Sequence, residues 1–102
     1  MFQLVLQFKP WGSAQFDELV EVEDRLIEAL QGVANVDGHD LGSNEANIYI
    51  LCSDPAETFP NCVPILEEIG LLPILSAAHR PLGGEGYTRI WPQDDASHFE
   101  VK

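Results

Sequence analysis

The sequence predicts a mixed α+β domain of order strand, helix, strand, strand, helix, strand, with one further strand at the end. Three observations carry that expectation. Phe2, Leu4, Leu6 and Phe8 alternate with Gln3, Val5 and Gln7, the period-two pattern of a strand with one strongly apolar face. From Phe16 to Leu30, and again from Phe59 to Ile69, apolar residues recur at helical spacing. Between those segments, Gly42-Ser43-Asn44-Glu45 separates two strand-like runs, as a hairpin turn does.

Each element follows from local chemistry. Lys9-Pro10-Trp11-Gly12 breaks the first strand, and Ser13 suits the N-cap of the helix that follows. At about 100° per residue, Phe16, Leu19, Val20, Val22, Leu26, Ile27 and Leu30 fill one arc of that helix. Asp17, Glu18, Glu21, Asp24, Arg25 and Glu28 fill the other. Glu23 disobeys, falling near the centre of the apolar arc, and Gly32 stops the helix. The hairpin has strands over 34–41 and 46–52. Asp54-Pro55-Ala56-Glu57 then supplies an N-cap, a proline at the first helical position and an acid three residues past the cap. Phe59, Cys62, Val63, Leu66 and Ile69 form the buried stripe of this second helix. Pro60 and Pro64 project outward with Glu57, Glu67 and Glu68, where a bent helix loses hydrogen bonds most cheaply, and Gly70 ends it. Residues 74–80 and Tyr87–Trp91 read as the last strands, and 92–102 as a loose polar tail.

A chain of 102 residues is read as one domain, residues 1–91 with the tail attached, able to bury about two-thirds of its unfolded surface. Seventeen acidic against five basic residues give a net charge of −12. Lys9, Arg25, Arg80, Arg89 and Lys102 are scattered, so phosphate-backbone binding, and with it nucleic acid, is not expected. A basic protein surface is the natural complement, although acidity that merely keeps a small protein soluble explains the same charge. No apolar run approaches the roughly 20 residues of a membrane span. Met1-Phe2-Gln3-Leu4 lacks the regions of a signal peptide, so a cytoplasmic location without membrane contact is expected. Cys52 and Cys62 are then expected as reduced core residues.

With two right-handed crossovers, the element order over residues 1–91 resembles the ferredoxin-like α+β sandwich. That resemblance implies a four-stranded antiparallel sheet of order 4-1-3-2, both helices on one face and an additional C-terminal strand. It concerns fold alone, because the fold carries many unrelated activities. In size, acidity and lack of a catalytic signature the chain is similar to small bacterial immunity proteins that block basic toxins, which implies a basic protein partner.

Candidate sites are few. Asp37-Gly38-His39-Asp40 is the densest run of groups able to bind protons or metals, but strand neighbours point to opposite faces. At most Asp37 and His39 share one, with Asp40 on the other. In the order 4-1-3-2, His39 and His79 lie three strand spacings apart, roughly 14 Å, and no metal or other cofactor is expected. Glu23 on a buried arc must be paired or protonated; His39 is a feasible partner if it faces inward, and Arg80 or Arg89 would satisfy it equally well. One residue of register at Gly38 decides which way His39 faces. Arg80 and Arg89 bracket Gly83-Gly84-Glu85-Gly86 and are candidates for holding an anion, although a hairpin turn is the better reading of the loop. Cys52 and Cys62 lack CxxC spacing, and no Gly-x-Ser-x-Gly element exists. Tyr49 and Leu51 join Val5 on a sheet face that no helix covers, a patch suited to self-association or partner docking unless the tail folds over it. The leading expectation is a non-enzymatic, acidic interaction protein. Asp17, Glu18, Glu21, Asp24 and Glu28, with Tyr49, would meet a basic partner or a second copy. The alternative is a small-molecule-binding or weakly catalytic domain using Glu23 and His39, assisted by Asp37 or Asp40.

Overall fold

A computed structural model of the chain describes residues 1–12, 15–84, 86–92, 99 and 101. The period-two segment forms β1 (Phe2–Phe8), followed by α1 (Phe16–Ala29), β2 (Asn35–Gly42), β3 (Glu45–Cys52), α2 (Pro55–Ile69), β4 (Leu75–Pro81) and β5 (Thr88–Trp91). A single 3-10 turn, Leu72–Ile74, leads into β4.

The local signals of α2 act as the sequence predicts. The Asp54 carboxylate accepts from the amides of Ala56 at 3.0 Å and Glu57 at 3.3 Å, satisfying two donors that a helix start leaves orphaned. Pro55 occupies the first turn, and Gly70 closes the helix in the left-handed region at φ 88°, where a Cβ would be strained. Pro60 and Pro64 lie inside the helix on its exposed side. Helix α1 is less completely built. Its N-cap position is Gln15, which makes no side-chain cap; the Gln15 side chain instead accepts from the Gly12 amide at 2.9 Å. The expected cap, Ser13, lies outside the described residues. The hairpin loop is Ser43-Asn44, with Asn44 at φ 63°, a conformation that asparagine tolerates better than most residues.

Neighbouring strands pair antiparallel throughout, in the order β2-β3-β1-β4-β5. The sheet therefore has five strands rather than the expected four in the order 4-1-3-2, because β5 hydrogen-bonds to β4 and removes β4 from the edge. Both helices pack on one face. Leu19, Val22 and Leu26 of α1 and Phe59, Cys62 and Leu66 of α2 share a core with Leu4, Leu6, Phe8, Ile48 and Ile50 of the central strands. Each such side chain contributes about 1.5–3 kcal/mol by leaving water.

The opposite face is not open. Phe99, only 5% exposed, packs on Val5 and Ala78, with Tyr49, Tyr87 and Val101 around it. Two expectations are corrected by that contact. The tail is not wholly loose, since Phe99 is an anchor, and the apolar patch around Tyr49 is occupied by the same chain. No helix among the described residues is long and apolar enough to cross a membrane.

Candidate functional site

The position of His39 is set by a bulge. Val36 pairs with Ile50 and Gly38 with Tyr49, so Asp37 is the extra residue between them. A bulge adds one residue to one strand and shifts the alternation beyond it. Val36 and His39, three positions apart, consequently both face the helices, His39 opposite Ile48. Gly38 sits at φ 147°, inside the region that favours glycine. Without the extra residue His39 would point to the other face of the sheet.

Inward-facing His39 meets Glu23. Its Nδ1 lies 3.0 Å from the Glu23 Oε2, with side-chain exposures of 27% and 15%. The Phe16 ring approaches the imidazole edge-on, 5.7 Å between centroids. The misfit in the α1 pattern is thus resolved: Glu23 lies on the flank of the buried stripe that faces β2. The carboxylate orients the ring through Nδ1 and leaves Nε2 available to another group.

The other members of the run go elsewhere. Asp40 points to the second face and accepts from the Tyr49 hydroxyl at 3.2 Å, while Asp37 is exposed in the bulge. Burial, then the adjacent Asp40 carboxylate, pushes the Tyr49 hydroxyl from 10.0 up to about 12, so it acts as a donor. Among the described residues no three groups of metal-binding type converge.

The candidate anion loop is held by its own arginine. Arg80 donates to the Gln3 side chain at 3.1 Å and to the Gly84 carbonyl at 3.0 Å, and lies over the Tyr87 ring. Arg89 lies over the Phe99 ring, 5.5 Å from its centroid. Both guanidiniums therefore help fasten the loop and tail. The two cysteines are buried and unpaired as a disulfide. Burial pushes the Cys62 thiol up to about 12 and raises Cys52 as well, the opposite of what a nucleophilic thiol requires.

Sequence reasoning missed a buried polar cluster on the second face. Glu45 Oε2 accepts from Asn47 Nδ2 at 3.0 Å and from Gln7 Nε2 at 3.2 Å, and Gln7 Nε2 reaches Asn47 Oδ1 at 3.1 Å. The available signal was alternation: Glu45 and Asn47 flank inward-facing Ala46, and Gln7 stands directly opposite Asn47. A buried carboxylate is tolerable when its lone pairs are met in this way.

The five acids expected to face a partner, Asp17, Glu18, Glu21, Asp24 and Glu28, are all exposed on α1. Among the described residues none of them forms an ion pair; the α1 cation Arg25 binds Glu68 of α2 at 2.9 Å. The apolar arc next to them is incomplete in burial. Phe16 is 44% and Ile27 45% exposed, contrary to the expectation that the whole arc is core. At helical spacing Phe16, Val20, Glu23 and Ile27 form a second stripe beside the buried one, running along the inner side of β2. Comparison with protein-family models, curated proteins and solved structures found no match for the chain.

Proposed function

We propose that this chain is a non-enzymatic, immunity-like interaction protein of the cytoplasm, whose acidic α1 side engages a basic protein partner. The observation that carries the reading is the carboxylate face of α1, five exposed acids without an ion pair among the described residues, beside half-exposed Phe16 and Ile27. Like charge at this density repels acidic partners and speeds encounter with basic ones. Apolar surface between the charges supplies what electrostatics alone does not, since exposed ion pairs contribute only about 0–1 kcal/mol each. We read the scaffold as a ferredoxin-like core with β5 appended, because the order taken from the β5 end is 5-4-1-3-2.

Affinity capture from the source cells at low salt tests the proposal. A basic protein should be retained by the wild type and released as salt shortens the Debye length below about 10 Å. It should be lost when Asp17, Glu18, Glu21, Asp24 and Glu28 are changed together to Asn or Gln. Retention of the same protein by that variant overturns the reading.

A second reading rests on the Glu23–His39 hydrogen bond, an arrangement that can hold or move a proton for a small ligand. Native mass spectrometry of the protein from source cells decides it. A bound small molecule lost in both Glu23→Gln and His39→Gln supports this reading, and its absence from the wild type removes it.

A further inference from the structure

We propose that the seam between α1 and β2 is a strand-addition site, taking an extended partner segment in which basic and apolar residues alternate. The inference rests on the reading of an acidic interaction protein and specifies how the partner docks. Three independent features meet at the seam. First, β2 is an edge strand: it pairs with β3 on one side, and among the described residues no strand pairs with the other. An unpaired edge is a template for a further strand.

Second, the exposed large hydrophobics gather here. Phe16 and Ile27 on α1, Val33 in the connection and Leu41 on β2 are four of the six among the described residues. Next to Ile27 a groove of about 310 Å³ runs past Gly32, Ala34 and Val36, between the end of α1 and the start of β2. Surface apolar residues scattered singly need no explanation, whereas several flanking one open edge do.

Third, charge selects the occupant. Asp40 lies on the far side of β2, opposite Asn47 and away from the helices, and Asp37 is exposed in the bulge. A strand added to β2 would direct alternate side chains to the two faces. Apolar ones would meet the Phe16–Ile27 stripe, and basic ones would meet the carboxylates of β2. A second copy of acidic β2 would be repelled by the same groups, since inward- and outward-placed charge is one way edges avoid self-pairing. The edge thus rejects its own kind and remains open to a basic strand. Glu23–His39 sits midway along the stripe, where a polar contact fixes the register of the added segment.

The test uses the whole protein, isotope-labelled, and synthetic peptides as long as the 8 residues of β2. One peptide alternates lysine and valine, one has the same composition in blocks, and one is the alternating peptide N-methylated at every second amide. The alternating peptide should bind roughly tenfold tighter than either control, the loss expected from one or two missing backbone hydrogen bonds and misdirected side chains. It should also slow hydrogen exchange of β2 amides. Because the modifications lie on the peptide, folding of the protein is not disturbed. If all three peptides bind alike, with shifts on the α1 carboxylates and unchanged β2 exchange, strand addition is overturned and acidic docking survives. If none binds at low salt, both fall.

Discussion

The two helices share a core but are built differently: α2 encloses its apolar stripe, whereas α1 leaves part of its apolar surface in solvent. Helix α2 has a side-chain cap from Asp54, Pro55 in its first turn and a left-handed glycine at its end. Pro60, Pro64 and its acids face water, while Pro55, Phe59, Cys62 and Leu66 are buried. Helix α1 lacks a side-chain cap at Gln15. It also leaves Phe16 and Ile27 half in solvent. Both helices carry exposed acids without an ion pair among the described residues, so half-exposed apolar surface is what sets α1 apart, and it is on this that the proposed docking rests.

Truncations should break this contrast in order of size. Leu66→Ala, in the buried stripe of α2, should cost about 2–5 kcal/mol in urea unfolding, as core cavities do. Asp54→Ala should cost about 1 kcal/mol by removing the cap. Glu23→Ala should cost a comparable amount, about 1 kcal/mol, since it strips a partly buried imidazole of its hydrogen bond. Phe16→Ala and Ile27→Ala should each stay within about 0.5 kcal/mol of wild type yet weaken binding of a basic peptide severalfold. A cost to either comparable with Leu66→Ala would make α1 a core helix like α2.

The second sheet face gives a smaller, pH-dependent effect. In the unfolded chain Tyr49 titrates near 10.0, and in the fold it is pushed up to about 12. The folded state therefore favours the protonated hydroxyl. This stabilisation is complete below pH 10 and is lost as pH rises through the interval to 12. Urea midpoints measured across that interval should decline less steeply in Tyr49→Phe than in wild type. Cys62, pushed up to about 12 by burial, should resist thiol reagents near neutral pH until the protein is denatured. Reaction of both cysteines in the native state would contradict that burial.

Much of the scaffold was legible because its signals are local. The Asp54 cap, the Gly70 stop and the alternation of β1 each depend on neighbours in sequence. Non-local contacts were not. Joining β5 to β4 required knowing which edge a short strand reaches, and Phe99 gave no periodic cue because it stands alone in a polar tail. Glu23 was visible as a misfit, but its partner depended on an extra residue at Asp37 that alternation alone cannot count. The buried Glu45 was hidden for a related reason: an acid beside a turn reads as solvated unless the far strand places Gln7 opposite Asn47.

The central claim is that acidity functions in binding on the α1 side and only as solvation on the α2 side. Chemical-shift mapping of the labelled protein with the alternating lysine–valine peptide tests it most directly, because Glu57, Glu67 and Glu68 of α2 are also exposed. The expected result is a set of shifts concentrated at Phe16, Ile27, Val36, His39 and Leu41 and at the α1 acids beside them, Asp17, Glu21, Asp24 and Glu28, with α2 silent. Shifts spread evenly over the carboxylates of both helices would contradict it.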